Sequence, residues 1–169
     1  MRRQPTPLKI RTFQPSDTAA VNRLFASGMM DFAQGFEETM RAYIQHSLND
    51  DLADIPANYL ALPGSHFWVA EEAGEVKGMV GLQRRDEAEA ELRRMSVATD
   101  SRRRGIGWKL LETAEAFCRA QGYQRIRLTT VELLQPAIAM YQKFGYQPAG
   151  QERYSTILGK HFVKHLTGR

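Results

Sequence analysis

A chain of 169 residues, 43% hydrophobic and 25% charged, has the length and composition of one soluble globular domain. Its apolar runs are too short to cross a membrane, the N-terminal MRRQPTPLKI lacks the apolar core of a signal peptide, and a single cysteine excludes an internal disulfide framework. We therefore predict one domain over residues 1–169 in a cytosolic (cytoplasmic) protein with no membrane association, whose formal charge of +4 weakly indicates an anionic partner.

The first part of the chain predicts one strand followed by two helices. LKIRTF (8–13) is typical of a strand, and the Pro-Ser-Asp of 15–17 favours a helix start. A stripe of apolar residues at helical spacing covers 20–29, and a second helix is expected over 37–48. Residues 49–64 hold two prolines and mixed polarity, so they predict a loop with room for a short helix.

From residue 66 the pattern changes to strands. HFWVAEE and VKGMVGLQRR, joined by AGE, predict a hairpin, and EAELRRMSV (89–97) predicts a third strand after a second turn. Along that third strand the apolar residues Leu92, Met95 and Val97 break strict alternation. One extra residue between 92 and 95 would be a β-bulge, a feature that is often found beside active sites.

The remaining elements predict an α/β domain. A helix with one apolar face follows Gly107 and ends at Gly122, and YQRIRLTTV is the next strand. PAIAMYQKF predicts a helix that stops at Gly145, and ERYSTI and KHFVKHL are candidate closing strands. This alternation of strands and helices predicts a mixed sheet.

Basic residues are concentrated before the helix that follows Gly107. RRMSVATDSRRR (93–104) contains five of the 23 lysines and arginines. Because nucleic-acid binders more often carry a broad basic face with interleaved aromatic residues, a compact cluster favours a small phosphate-bearing ligand, and no nucleic acid is expected. Gly105 and Gly107 would admit such a ligand, and the amides of 103–108 at the helix start would bind its phosphates. A solvated basic turn is an equally good interpretation of the local spacing.

Two other phosphate-binding motifs do not match this segment. There is no GxxxxGK[ST] sequence, and Gly105-Ile106-Gly107 is followed by Trp108 where a dinucleotide motif needs different spacing. Neither ATP nor dinucleotide binding is therefore supported.

Residues 90–146 resemble the GNAT superfamily of acyl-CoA-dependent N-acetyltransferases. The signature [Q/R]-x-x-G-x-[G/A], after a strand ending in apolar-x-Val, stands here as RRRGIG (102–107) after Met95-Ser96-Val97. A second signature is the helix with Ala137, Ile138 and Tyr141 followed by Gly145-Tyr146. The resemblance implies a mixed, mostly antiparallel central sheet of six to seven strands flanked by about four helices. It also implies acetyl transfer from acetyl-CoA to a primary amine by direct attack in a ternary complex.

The same resemblance assigns contacts with acetyl-CoA. Backbone groups on the third strand would pair with the pantetheine arm, and the arginine-glycine turn would hold the pyrophosphate. The residues assigned to these contacts are Met95, Ser96, Val97, Arg102, Arg103, Arg104, Gly105, Ile106, Gly107 and Trp108. Many family members carry an asparagine where this chain has Leu134, so Gln135 or a backbone carbonyl is expected to replace that contact.

Two residues are assigned to catalysis. By resemblance, Tyr141 would protonate the leaving thiolate, although outside the family context an aromatic core residue is the favoured interpretation. An amine must lose a proton before it attacks, and a carboxylate could take that proton directly or through water. Glu91 is the first choice, with Glu89 and Glu132 as alternatives. For each of them a solvent-exposed strand charge is the competing interpretation.

The amine acceptor itself is not specified by the sequence. An acidic set between residues 30 and 65 could attract a cationic amine, although a solvated helix face is favoured; its members are Asp31, Glu37, Glu38, Asp50, Asp51 and Asp54. Exposed strand edges make a homodimer plausible. A non-catalytic acyl-CoA-binding regulatory module is the alternative function.

No metal is expected, and the cysteine is expected to be structural. The four histidines, His46, His66, His161 and His165, lack metal-ligand spacing. Cys118 lies at helical spacing with Leu111 and Ala114, so we predict a buried thiol.

Overall fold

Seven strands and four α-helices make up most of residues 6–154 and 156–166, the part of the chain that the computed structural model describes. The strands are β1 Lys9–Thr12, β2 His66–Glu72, β3 Glu75–Arg84, β4 Glu89–Val97, β5 Arg125–Val131, β6 Gln147–Tyr154 and β7 Ile157–His165. The α-helices are α1 Thr18–Met30, α2 Glu37–Asn49, α3 Ile106–Gln121 and α4 Gln135–Phe144. Short 3-10 turns cover Pro15–Asp17, Asp51–Ala53 and Thr99–Ser101, and a π turn covers Pro56–Leu60.

All the strands join one sheet in the order β1-β2-β3-β4-β5-β7-β6. Neighbouring strands are antiparallel except β4 and β5, which run parallel. The parallel pair arises because α3 connects the end of β4 back to the start of β5, as a crossover connection must. The predicted mixed, mostly antiparallel sheet is therefore confirmed.

Each face of the sheet is covered by helices. One apolar cluster packs α3 and α4 against the sheet, and the other packs α1 and α2 against the opposite face. On α3 the predicted stripe is buried, including Leu110, Leu111 and Ala114. Cys118 is buried on the same stripe, as predicted, and burial raises the pKa of its thiol to about 12. The thiol therefore stays protonated and packs as a small apolar group.

Glycines end the helices where the sequence indicates. Gly122 (φ 85°) and Gly145 (φ 114°) adopt the left-handed conformation after α3 and α4, which glycine reaches without a steric penalty. In the described part of the chain, no helix combines the length and the apolar character needed to cross a membrane.

Boundaries differ from the prediction mainly at the C-terminal hairpin. The strand predicted over ERYSTI begins earlier, at Gln147, and its Ser155 lies outside the described residues. Every side chain of β6 is exposed, so this edge strand has no apolar alternation from which it could be predicted. It forms by pairing with β7. Residues 1–5 of the N-terminal stretch also lie outside the described residues.

The bulge predicted on the third strand is present in β4. Met79 of β3 pairs with Ser96, and Gly81 pairs with Arg93. Two residues of β4, Arg94 and Met95, therefore lie opposite the single residue between Met79 and Gly81. Arg94 at this point has φ 58°, a left-handed conformation that costs a non-glycine residue roughly 1–2 kcal/mol. Contacts with surrounding residues must therefore stabilise Arg94 in this conformation.

Gly81 occupies a position on β3 where no side chain fits. A Cβ there would lie 2.7 Å from Cε1 of Tyr59 and 2.9 Å from Cδ2 of Phe67, both on rings that are fully buried. We expect Gly81→Ala to lower the free energy of unfolding by about 2 kcal/mol through overpacking. Urea denaturation should show a lower midpoint with an unchanged m value.

Gly35→Asn is the control for this substitution. Gly35, unlike Gly81, has a positive φ (82°), but asparagine tolerates this conformation and no described atom lies within 4 Å of where its Cβ would be. The free energy of unfolding of the Gly35→Asn variant should change by no more than about 0.5 kcal/mol. An equal loss in both variants would show that packing at Gly81 is not the cause.

Candidate functional site

A cavity opens where β4 and β5 separate. The two strands pair only from Glu89–Leu92 with Arg125–Leu128, and beyond these residues they diverge. The resulting cavity has a volume of about 680 Å³, and residues of α1, α2, α4 and β7 complete its walls. Past Leu92 the edge of β4 that faces β5 has no strand partner among the described residues. It can therefore pair with an extended ligand.

Tyr141 of α4 lines this cavity. Its side chain is 6% exposed, and its ring packs edge-on against Tyr146 with the centroids 5.9 Å apart. Burial, and to a smaller extent the nearby Tyr43, raises the pKa of the Tyr141 hydroxyl above its ordinary value. The hydroxyl is therefore protonated at neutral pH and can act only as a proton donor.

Of the three carboxylates considered as the base, Glu91 lines the cavity. It pairs with Arg85 at 2.8 Å. Glu89 instead pairs with Arg125 at 2.6 Å and with Arg127 at 3.3 Å, outside the cavity lining. Glu132 is 51% exposed and lies 3.9 Å from Lys160, also outside that lining. The fold thus brings Glu91 and Tyr141 to one cavity and leaves the two alternatives elsewhere.

The start of α3 carries main-chain donors that have no acceptor among residues 6–154 and 156–166. The first amide of the helix with a main-chain partner is that of Lys109, which donates to the Gly105 carbonyl at 3.1 Å. Gly105 has φ 80°, and no described atom lies within 4 Å of where its Cβ would be. The amides just before Lys109 lie at the positive end of a sixteen-residue helix and have no hydrogen-bond acceptor among the described residues. This arrangement is suited to an anion.

The arginines before this turn have different surroundings. Arg102 donates to Asp31 at 3.0 Å and lies 4.8 Å from the Phe32 ring centroid, and Arg104 pairs with Glu72 at 2.5 Å. Arg103, with φ 63°, has no ion-pair partner in the described ranges. Arg102 and Arg104 thus tie the turn to α1 and β2 and also add positive charge near it.

Gly107 and Trp108 contribute to packing between helices. A Cβ on Gly107 would lie 2.8 Å from Sδ of Met140, so this glycine allows α3 to approach α4. The Trp108 ring packs edge-on against Phe144 with the centroids 4.7 Å apart. Gly107 therefore also serves the packing of α3 on α4, and its assignment to the cofactor site stays a prediction.

Leu134, which replaces the family asparagine, lines the cavity and is 9% exposed. Gln135 or a backbone carbonyl was expected to take over the lost polar contact. Its side-chain amide instead donates to the Glu132 carbonyl at 2.6 Å, within its own loop.

A buried ion pair beneath the β4 bulge was not predicted from the sequence. Arg94, with 6% of its side chain exposed, donates to Asp51 through Nε at 3.0 Å and through a terminal nitrogen at 2.5 Å. The Tyr59 hydroxyl also donates to Asp51. Burial alone would raise the pKa of the Asp51 carboxyl, but the hydrogen bonds and charge of Arg94 outweigh it and lower the pKa.

Asp51 therefore departs from the expected solvated acidic set. It is 4% exposed, because the chain turns sharply after α2 and carries the carboxylate under β4. The available sequence signal was a pair of arginines in the middle of a strand, since buried cations require an anion.

The cavity mouth lies between α2 and the β6–β7 hairpin. Tyr43 and His46 of α2 line one side, and Tyr154 lines the other. The Thr39 and Thr156 hydroxyls lie 3.4 Å apart and join the two sides. Thr39, Tyr43 and His46 lie within residues 30–65, the segment whose acidic set was considered for attracting a cationic amine.

Comparison with known proteins adds the following similarities. The model of the acetyltransferase (GNAT) family matches residues 30–146. N-acetyltransferase family 8 member 3 of Rattus norvegicus is 37% identical over 123 residues, which are 68% of this chain and 53% of that protein. N-acetyltransferase 8 of Homo sapiens is 36% identical over 135 residues, 73% of this chain and 60% of that protein. The chain thus spans between half and two thirds of these relatives' length.

Solved structures share the fold. An acetyltransferase of the GNAT family from Staphylococcus aureus matches with a TM-score of 0.78 at 21% identity, over 95% of this chain and 100% of that one. The PaiA N-acetyltransferase from Thermoplasma acidophilum, solved in complex with coenzyme A, also has a TM-score of 0.78, at 18% identity over 94% of this chain and 99% of that one.

Proposed function

The chain belongs to the acetyltransferase (GNAT) family, and from this premise we propose that it transfers an acetyl group from acetyl-CoA to a primary amine. The observation that carries the proposal is that a proton donor, Tyr141, and a carboxylate, Glu91, line one cavity beside the unpaired edge of β4. Residues 1–169 would act as one acyl-CoA N-acyltransferase domain. The predicted cytosolic location and the predicted absence of a metal stay predictions.

The groups around the cavity fit acetyl-CoA. The free edge of β4 over Met95–Val97 would pair with the extended pantetheine arm, since its hydrogen-bonding groups facing β5 lack a strand partner among the described residues. The amides before Lys109 would bind the pyrophosphate, with Gly105 leaving the approach open. Arg102, Arg103 and Arg104 would add favourable charge. When bound, acetyl-CoA supplies an activated acyl carbon.

Glu91 and Tyr141 would each transfer one proton during the reaction. Glu91 accepts the proton that the amine nitrogen loses, directly or through a water molecule, as a carbon–nitrogen bond forms. Tyr141 gives its hydroxyl proton to the sulfur as the carbon–sulfur bond breaks. The raised pKa of Tyr141 ensures that this proton is present at neutral pH. The cavity walls, which are largely apolar, would hold the reacting groups together.

Calorimetry followed by a thiol-release assay tests this proposal. Acetyl-CoA should bind with saturable heat, and free coenzyme A thiol should appear when a suitable primary amine from a panel is added. Absence of binding by folded protein would overturn the proposal. Binding without thiol release from any amine would favour the alternative function, a regulatory module that binds acyl-CoA without turnover.

Replacing the proposed base gives a more specific prediction. Glu91→Gln should lower kcat about tenfold, a modest effect for a general base because water in the open cavity can carry the proton elsewhere. Acetyl-CoA affinity should stay the same, because the substitution keeps the shape of the side chain. Rates measured at several pH values would check this.

Glu89→Gln is the matched control, since Glu89 is on the same strand but outside the cavity lining. It should lose stability through its arginine partners while kcat changes little. A larger loss of kcat in Glu89→Gln would mean that the base has been assigned to the wrong carboxylate.

A further inference from the structure

Tyr43 of α2 is a cavity residue to which the mechanism above gives no role. It is 41% exposed, lines the cavity mouth, and lies close enough to Tyr141 to affect its hydroxyl. The Tyr43 hydroxyl accepts a hydrogen bond from Arg94 at 3.1 Å. Because one lone pair is used in this way, the hydroxyl proton remains available for another partner.

Arg94 fixes the position of the Tyr43 hydroxyl. Arg94 also donates to Ser47 of α2 at 3.0 Å, and two further nitrogens of its guanidinium bind Asp51. The guanidinium carbon lies 5.4 Å from the Phe25 ring centroid and 5.9 Å from that of Tyr43. With so many contacts the guanidinium has little freedom to move, so it presents a fixed donor to Tyr43.

The charges around Tyr43 favour an oxygen as its partner. Arg93 lines the same wall, donates to Gln83 at 2.8 Å, and lies 3.7 Å from Asp51. Two arginines therefore share one buried carboxylate, and the excess positive charge disfavours a protonated amine at this point. A neighbouring guanidinium also polarises the hydroxyl and strengthens it as a hydrogen-bond donor.

Glu91 supplies a negative charge in the lining of the same cavity. The pKa of Tyr154 is raised first by its hydrogen bond to Glu152, then by burial, and to a smaller extent by both Tyr43 and Glu91. Tyr43, Glu91 and Tyr154 all line the same cavity. An acceptor could place its amine toward Glu91 and a neighbouring oxygen toward Tyr43.

We infer that Tyr43, positioned by the Asp51–Arg94 pair, binds the acceptor through a carbonyl or carboxylate oxygen adjacent to its amine. This inference rests on the proposed function. It names the substrate class as amines with such an oxygen, which occur in amino-acid derivatives and at peptide N-termini. Tyr43 contacts the acceptor, and Arg94 and Asp51 are positioning residues.

The experiment measures thiol release with three probe amines. L-leucinamide carries the adjacent carbonyl, isopentylamine has the same apolar chain without it, and the peptide Leu-Gly-Gly carries the carbonyl at an N-terminus. Each variant is compared with the unchanged protein on the same amine, so differences between the basicities of the amines cancel. Acetyl-CoA affinity is measured in parallel by calorimetry.

Tyr43→Phe should lower kcat/KM about tenfold for L-leucinamide, the effect expected for the loss of one hydrogen bond. For isopentylamine the change should stay within about twofold. A loss with Leu-Gly-Gly as well would extend the class to peptide N-termini, and a loss with L-leucinamide alone would restrict it to small amino-acid derivatives. Gln45→Ala, on the exposed side of the same helix, is the control and should alter neither amine.

Arg94→Lys tests the positioning role. Lysine keeps a charge for Asp51 but cannot also reach Tyr43 with a rigid fork of donors. If Arg94 acts through Tyr43, adding Tyr43→Phe to Arg94→Lys should cause little further loss with L-leucinamide. Additive losses would contradict this coupling.

Outcomes that overturn the inference can be told apart from failure of the proposed function. Equal losses for L-leucinamide and isopentylamine, or no loss for either, would overturn the role of Tyr43 while acetyl transfer stands. Thiol release from none of the three amines would also overturn it. The calorimetric titration with acetyl-CoA would then decide whether the proposed function fails with it.

Discussion

Tyr141→Phe is expected to lower kcat for acetyl transfer about a hundredfold, the usual effect of losing a general acid. Acetyl-CoA affinity should be retained, because phenylalanine keeps the ring that packs against Tyr146. The physical reason is that phenylalanine lacks the hydroxyl that would donate a proton to sulfur; burial keeps the pKa of that hydroxyl above its ordinary value, so it is protonated at neutral pH. Steady-state rates and calorimetric titration of both proteins would measure the two effects separately.

Tyr146→Phe is the matched control. Tyr146 is 3% exposed and touches the Tyr141 ring, but it is outside the cavity lining. The same atom is removed from a neighbouring buried ring, so kcat should change little. If Tyr141→Phe kept its full rate, another group must protonate the thiolate. If both variants lost activity equally, the effect would come from disturbed packing.

Asp51→Asn is expected to produce the largest loss of stability, about 3 kcal/mol. The substitution leaves the Arg94 guanidinium, with 6% of its side chain exposed, without a counter-charge, and it also removes the carboxylate that Arg93 approaches. Arg94 is held in a left-handed conformation at the β4 bulge, so loss of its anchor should release the bulge. Urea denaturation followed by circular dichroism would measure the change.

The dependence of this loss on pH has a definite sign. Because the folded-state pKa of Asp51 is below the ordinary value of 3.8, its stabilisation is complete above that value and disappears as the pH falls through the folded-state pKa. The difference in stability between Asp51→Asn and the unchanged protein should therefore shrink below about pH 4. A difference that stayed constant down to pH 2 would show that charge is not the cause.

Asp17→Asn provides the comparison for Asp51→Asn. Asp17 also accepts two hydrogen bonds from one arginine, Arg11, at 2.8 and 2.9 Å, and it is 6% exposed. Arg11 would keep its second partner, Glu71, so the loss should be nearer 1 kcal/mol. The cavity should be unaffected. A loss of stability in Asp17→Asn as large as that in Asp51→Asn would show that anchoring Arg94 at the β4 bulge is not what makes Asp51 important.

The local parts of the fold could be predicted because they depend on residues close together in the chain. The α3 stripe, the glycine helix ends and the β4 bulge follow from spacing and from the backbone freedom of glycine. The start of the edge strand β6 at Gln147 could not, because all its side chains are exposed and only its hydrogen bonds to β7 define its extent.

The candidate site could be predicted only where it depends on motifs that are local in the chain. Motif resemblance identified Tyr141 and made Glu91 the first choice for the base, but Glu89 and Glu132 stayed open as alternatives. The separation of β4 from β5 after Leu92 is what places Glu91 in the cavity and leaves Glu89 with Arg125 and Arg127.

The sequence by itself determined the α/β class, the order of most elements, the turn before α3 and the family resemblance, since each is written in local patterns of apolar, glycine and charged residues. Only the tertiary structure decided which carboxylate reaches the cavity, that Gly107 serves helix packing, and that Asp51 is the buried partner of Arg94. Asp51 and Arg94 are 43 residues apart in the chain. Such contacts depend on how the chain returns on itself, which a local pattern of residues does not specify.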